Sequence, residues 1–361
     1  MFIKILSLVY NIALIMSLVL PSTSKASVNI IAWWGYINSD IISLIETKCG
    51  VKVTYDEYYT THEFLKRMNE QSYSIAIFAQ TGYNFIAKKA NNKGVSLEEI
   101  KKTQHPLISQ SIFNQNLPKN VAIFAIEAAG FLYNADKISI SPTDSLQEIF
   151  RKAKGKKVIV IDNPIEPMKF ISPNYQFPSN INAKFQDLFA DVEIIVSNDL
   201  ANFSNDKDIV LAQAWLGNAY AQIKNNPKLK FIHYPAISYL GADLIAALNT
   251  KTETECVVKA LAGKEINTRI VSNDFRFSPY GILTKNKNIA SDLYLEVNNN
   301  FFKNTLQNLQ WTTRPTEEEY LEITKNGKRL NLKLLINIHR GNIYDKISQN
   351  IYFGDCNESN N

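Results

Sequence analysis

The sequence predicts an α/β protein with parallel strands, divided into two lobes. Three observations carry this. Apolar, β-branched runs alternate with amphipathic stretches as strand, helix, strand, helix, strand over the first ~55 residues after Val28. The chain has 361 residues, and the ~335 that would remain after removal of an export signal favour two domains over one. Apolar residues make up 45% of the chain, enough for each lobe to bury a core.

The amino terminus reads as a signal peptide over residues 1–26. Lys4 gives a basic start, Ile5–Leu20 an apolar stretch, Pro21 a break, and Ser24-Lys25-Ala26 the small residues of a cleavage site. Tyr10 and Asn11 interrupt an apolar run that is short for a bilayer span. No cysteine lies near the cut, so no lipid-modified terminus is expected. The mature chain would begin near Ser27 and work in the periplasm.

Val28–Trp33 reads as a buried strand. Asn38-Ser39-Asp40 offers helix-capping side chains, followed by Ile41, Ile42, Leu44 and Ile45 at helical spacing and a stop at Cys49-Gly50. Val51–Tyr55 alternates as a second strand, Thr61–Gln71 is an amphipathic helix carrying Phe64, Leu65 and Met68, and Tyr73–Ala79 is a third strand. Ligands of such sheets gather at the carboxyl ends of the strands. Val121–Ile126 is the next strand, Ser145–Lys152 a helix, Lys157–Ile161 a strand, and Ile209–Ala214 a strand delivering Trp215-Leu216-Gly217-Asn218. Phe231–Tyr234 and Asp243–Leu248 are short strands, and Ile165–Asn182 reads as a surface loop. Beyond Thr252 the pattern is helical, Glu317–Lys325 being the clearest late helix, and Gly354–Asn361 reads as a frayed tail.

Composition narrows the function. The net charge of +5 is small, and the basic run Lys152–Lys157 fits a solvated helix end, so no nucleic-acid partner is expected. The 3 cysteines allow at most one internal bridge and match no metal knuckle. His62, His105, His233 and His339 stand alone in sequence, and no phosphate loop, Gly-x-Ser-x-Gly elbow or His-Glu-x-x-His is present. No metal, cofactor or enzymatic activity is therefore expected.

Several blocks, in order, resemble the periplasmic solute-binding proteins of ABC importers, type II topology, spermidine/putrescine branch. They are Ala32-Trp33-Trp34-Gly35-Tyr36-Ile37, Cys49-Gly50-Val51-Lys52-Val53-Thr54-Tyr55, Gly130-Phe131-Leu132-Tyr133-Asn134-Ala135-Asp136-Lys137, Asp162-Asn163-Pro164-Ile165-Glu166, Ala214-Trp215-Leu216-Gly217-Asn218, the strand from Asp243, and Glu318-Glu319-Tyr320. The resemblance implies two lobes, each a mixed sheet flanked by helices, joined by a two-strand hinge. Lobe 1 would comprise residues 27–133 and 241–285, and lobe 2 residues 134–240 and 286–361. It implies a monomer that captures a small cationic, polyamine-like solute between the lobes and delivers it to an ABC importer permease.

The candidate ligand-binding residues in and around these blocks are Trp33, Trp34, Tyr36, Glu166, Trp215, Asn218 and Asp243, with Glu166 and Asp243 matching amine-binding positions and Tyr83 and Phe277 as further wall candidates. A polyamine needs aromatic walls for its stem and carboxylates for its ammonium groups, because an unpaired buried charge is costly. Glu166 and Asp243 would take one ammonium each or share one. The family's acidic positions at Gly35 and Asn218 lack charge here, and Ile126, Ser74 and Ala79 also depart from its pattern. These losses favour a diamine over a longer polyamine. Each residue also has a structural reading: Trp33 as core, Glu166 as a solvated loop carboxylate, Asp243 as a local cap. In an extended chain Trp34 points away from Trp33, so one of the two at most is central. A zwitterion binder or a metal binder of the same fold using tyrosines, of which Tyr58-Tyr59 is an adjacent pair, a receptor role, and an exported hydrolase remain as alternatives.

Overall fold

A computed structural model describes residues 26–90, 93–161, 169–171, 181–200, 205–233, 239–273, 275–285 and 292–311, together with 166, 203, 287 and 318. The expected signal peptide up to Lys25, the Asp162–Ile165 segment, the late helix apart from Glu318, and the tail with Cys356 lie outside these residues.

The chain begins with β1 (Ser27–Trp33), α1 (Ser39–Cys49), β2 (Lys52–Tyr58), α2 (Thr61–Glu70) and β3 (Ile75–Ala79). Local chemistry sets these boundaries. The Asn38 side chain accepts from the Ile41 N–H at 3.0 Å and starts α1, while Gly50 ends it with a backbone N–H donated to the Glu46 carbonyl. Thr60 caps α2 in the same way, accepting from Glu63 N–H at 3.1 Å. β4 (Val121–Asn134), α3 (Leu146–Lys152), β5 (Lys157–Val160), β6 (Glu193–Val196), β7 (Ile209–Trp215), α4 (Leu216–Asn225), β8 (Leu229–Ile232) and β9 (Tyr239–Ala247) follow. The chain continues through α5 (Thr252–Ala262), α6 (Lys264–Asn273), α7 (Asp292–Asn300) and a short β10 (Gln310–Trp311).

The strands run in the order β2-β1-β3-β9-β4-β7-β5-β6, with β10 on β9 and β8 on β4. β2, β1 and β3 are parallel, whereas β9 is antiparallel to both β3 and β4. β4 is the shared member: Val121–Ala128 pair with β9 in a first sheet, and Ala129–Tyr133 pair with β7 in a second. It is therefore one 14-residue strand where the apolar pattern suggested a short one ending at Ile126. Glu127 interrupts the pattern, but pairing continues through it. The chain returns to the first sheet between β8 and β9, so among the described residues the halves are joined through β4 and between β8 and β9. This is the two-lobed mixed α/β architecture expected.

Helices cover both faces of the first sheet. On one face α1, α5 and α6 bury Ile41, Ile45, Val257, Leu261 and Ile270 against Ile30, Ile77 and Ile245. On the other, Phe64 of α2 and Phe301 and Phe302 pack with Ile31, Phe78 and Leu244. The second sheet is covered by Phe150, Phe185 and Phe189 on one side and Leu200, Phe203 and Ala219 on the other. Cys49 and Cys256 form a disulfide across 207 residues, joining the end of α1 to α5. Closing so long a loop restricts the unfolded chain, an effect of up to about 5 kcal/mol in the chain-entropy picture. The basic run sits in surface ion pairs, Lys154 with Asp191, Lys156 with Asp208 and Lys157 with Asp206. No helix among the described residues is long and apolar enough to cross a membrane.

Candidate functional site

The site is built on one face of β9, a strand that begins four residues earlier than its apolar run suggested and so carries Asp243 at its centre. Tyr239, Gly241 and Asp243 alternate onto the same face. Asp243 lies between Ala79 of β3 and Ala125 of β4, and Gly241 lies opposite Glu127. Small neighbours leave the Asp243 carboxylate room. The Gln80 side chain fixes the strand from the side by accepting from the Ala242 N–H at 2.8 Å.

The carboxyl end of β1 supplies the groups above Asp243. Trp33 donates its indole N–H to Asp243 Oδ1 at 3.0 Å, and its ring leans on Tyr58 with centroids 4.4 Å apart. Gly35 takes φ +77°, a left-handed turn that L side chains rarely adopt. This turn brings the Tyr36 hydroxyl round to donate to Asp243 Oδ2. Burial drives the Tyr36 phenol well above its ordinary pKa, Arg276 opposes the shift, and Asp243 and Glu127 add to it. Trp34 points outward, 61% exposed, and stacks on Tyr59 at 5.8 Å. The tryptophan pair is thus split between the site and its rim.

Arg276 completes this end. Its Nη1 donates to Asp243 Oδ2 at 2.7 Å, lies 2.6 Å from Glu127 Oε1 and donates to the Tyr36 hydroxyl, while the guanidinium carbon sits 4.1 Å from the Tyr36 ring centroid. The preceding Phe275 has φ +55°, a left-handed conformation costly for a residue with a Cβ. Arg276 N–H bonds the Val271 carbonyl, and Phe277 pairs with Ile126. The backbone around the arginine is therefore held on both sides.

The second sheet supplies the other end. The Trp215 ring, at the close of β7, stands edge-on to Tyr239 at 5.7 Å and lies so near Gly241 that a Cβ there would come within 3.3 Å of it. A larger residue at 241 would displace the tryptophan. Glu166 and Lys169, each 2% exposed, form an ion pair at 3.4 Å, and Lys169 Nζ sits 3.1 Å from the centre of the Tyr239 ring. Gln213 of β7 ties the turn down, donating to the Glu166 carbonyl and accepting from Ile161 N–H. Burial pushes the Lys169 ammonium down to about 8 against the pull of Glu166, and burial raises the Glu166 carboxyl. Glu166 Oε2 and Tyr239 Oη are buried without a hydrogen-bond partner among the described residues. Since Tyr239 and Asp243 are four residues apart on β9, the two ends lie ~13 Å apart.

Of the residues named from sequence, Trp33, Tyr36 and Asp243 meet at one end, and Glu166 and Trp215 at the other. Asn218 is exposed in the first turn of α4, three residues beyond Trp215. Phe277 is buried and stacked on Phe301 at 3.5 Å, a core position and not a wall; Tyr83 packs at the edge of the same cluster. Sequence reasoning missed Glu127, Lys169, Tyr239 and Arg276. The one legible sign was charge in apolar surroundings: Glu127 inside Val121–Tyr133, and Arg276 between two phenylalanines. A cavity of about 490 Å³ lies elsewhere, between Gly94–Ile100 and α5, where Glu255 and Lys259 pair with each other. No group of three or more His, Cys, Asp or Glu side chains among the described residues is placed to hold a metal ion.

No family model matches the chain, and no curated protein matches it in sequence. Solved structures do share its fold. The spermidine/putrescine ABC transporter substrate-binding protein PotD of Streptococcus pneumoniae, in complex with calcium and HEPES, superposes with a TM-score of 0.64 at 15% identity, covering 87% of this chain and 100% of that one. The TpPotD lipoprotein of Treponema pallidum gives 0.59 at 13% identity over 83% and 99%. Iron-bound HitA of Pseudomonas aeruginosa gives 0.57 at 12% identity over 84% and 99%. Resemblance at this level is of fold.

Proposed function

We propose that this chain is an exported solute-binding protein that captures a small cationic solute in the cleft above β9 and presents it to an ABC importer permease. The observation that carries the reading is the convergence on one strand face of Trp33, Tyr36 and Asp243 from the first sheet and of Glu166 and Trp215 from the second. Aromatic faces and carboxylates in a desolvated cleft suit an ammonium on an apolar stem. In this reading Trp33, Tyr36 and Trp215 wall the solute, Glu166 and Asp243 set the charge balance, Trp34 is a rim residue, and Asn218 lies outside the first contacts. Residues 27–133 with 241–285 and 134–240 would be the cores of the two lobes, which close when a solute contacts both; residues 286–361, expected with the second lobe, instead send their described part to the first sheet, where Phe301 and Phe302 pack and β10 pairs with β9. No bond is made or broken, and the protein acts as a monomer.

The solved relatives include proteins described with spermidine/putrescine and with iron; for this chain the polyamine-like reading rests on its own aromatic and acidic residues. The signal-like amino terminus and the Cys49–Cys256 disulfide support work outside the cytoplasm. Thermal-shift screening of the purified mature chain tests the assignment, beside native mass spectrometry of protein from its own host. Amines are expected to raise the melting temperature, by the equivalent of about 2.7 kcal/mol at 100 times Kd. Stabilisation by sugars, anions or metal ions alone would overturn the cationic reading.

A further inference from the structure

We propose that Arg276 is a built-in cation: its guanidinium takes, within the chain, the place a ligand ammonium would occupy against Asp243, so the solute bound here is a monoamine and not a diamine. The ligand half of this inference rests on the cleft assignment above; the Arg276 half does not.

A site that receives an ammonium group offers carboxylate oxygens, a hydroxyl and an aromatic face. At the Asp243 end all three are engaged by Arg276: Asp243 Oδ2 at 2.7 Å and Glu127 Oε1 at 2.6 Å, the Tyr36 hydroxyl, and the Tyr36 ring 4.1 Å from the guanidinium carbon. The arginine cannot swing aside cheaply. The left-handed Phe275 before it, the Arg276 N–H bond to Val271 and the Phe277–Ile126 pairing after it fix its backbone. A second ammonium would have to displace a rigidly held, strongly paired guanidinium.

The other end has capacity left. Among the described charged groups of the site, Glu127, Asp243 and Glu166 face Arg276 and Lys169, leaving one negative charge. Glu166 Oε2 and Tyr239 Oη are buried acceptors without partners among the described residues, and the Trp215 ring stands edge-on to that of Tyr239. One ammonium directed at Glu166 would balance these described charges, and its apolar stem would run along Trp215 and Gly241 toward the closed Arg276 end.

The test compares butylamine with 1,4-diaminobutane, and methylguanidinium as a probe, on the parent chain and on Arg276→Ala. The parent is expected to bind butylamine at least as tightly as the diamine and to show no melting shift with millimolar methylguanidinium. Arg276→Ala is expected to melt lower, to be restabilised by methylguanidinium, and to shift its preference toward the diamine by tenfold or more. Arg276→Lys, which keeps the charge, should keep the parent's preference and serves if the alanine variant does not fold. A parent that prefers the diamine tenfold overturns the inference while leaving the cationic cleft standing. Rescue by methylguanidinium with no amine binding to the parent would support the built-in cation and remove the cleft assignment. An Arg276→Ala protein that folds yet ignores methylguanidinium also overturns it.

Discussion

The two ends of the β9 face differ in how completely their polar groups are matched. At Asp243 each carboxylate oxygen has a donor: the Trp33 indole on one, the Tyr36 hydroxyl and Arg276 on the other. At Glu166 one oxygen faces Lys169 at 3.4 Å, and the other, like the nearby Tyr239 hydroxyl, has no partner among the described residues. A buried network with its partners present rigidifies, whereas one with open valences stores a desolvation cost that a ligand can relieve. On the proposed reading, the contrast makes the Asp243 end the more architectural of the two and the Glu166 end the one left open for recognition.

Breaking the matched end should have the largest effect. Asp243→Asn removes the charge that Arg276 and Trp33 converge on, while the Glu127 carboxylate still faces the arginine. Loss of one partner of a buried ion pair costs about 3–5 kcal/mol, and Arg276, 20% exposed, places this case near the lower bound. Urea unfolding should show it; a variant as stable as the parent would mean the Asp243 end is no structural keystone.

Trp215→Ala acts on the other end. Truncating an aromatic anchor in a desolvated pocket costs about 2 kcal/mol or more, roughly thirtyfold in affinity. Titration calorimetry with the best amine from the screen should show that loss with little change in unfolding free energy. Unchanged binding by a folded variant would move recognition away from Trp215.

Lys169 sharpens the comparison through pH. Its ammonium is held near 8 in the fold and returns to its ordinary range on unfolding, so the unfolded chain binds more protons between those values. Stability should therefore rise by about 1–2 kcal/mol from pH 8 to 9.5 as the buried lysine sheds its charge. Above pH 10 the buried Tyr36 and Tyr58 oppose the trend, because their phenols ionise more readily once unfolded. Lys169→Met should flatten the rise in urea titrations across that window; a persistent slope would assign it to another group.

The smallest effect belongs to Asn218→Asp. An exposed carboxylate in the first turn of α4 is screened by salt, and a change in amine affinity below about twofold at physiological ionic strength is expected. A tenfold gain would bring α4 into the site.

Most of the first sheet was legible because its cues are local. Asn38 and Gly50 mark helix ends, and Ile30, Ile75 and Ile77 show buried strands without reference to distant residues. β4 was underread because Glu127 looked like an end, when its charge is met by Arg276, 149 positions later in the chain. The site divides along the same line. Trp33, Tyr36, Glu166, Trp215 and Asp243 were named through family-like blocks, but the cations that balance them were not. No spacing announces that Arg276 folds onto Asp243, or that Lys169 reaches the ring of Tyr239.

The Cys49–Cys256 bond governs what a single proteolytic cut can do to the molecule. The ring it closes contains β2, β3, all of the second sheet, and the crossings through β4 and β8–β9. A protease that cuts one loop within that circuit opens the ring without releasing a fragment. The nicked molecule keeps β1 and α1 tethered to α5, and the two pieces separate on a denaturing gel only after a reductant is added.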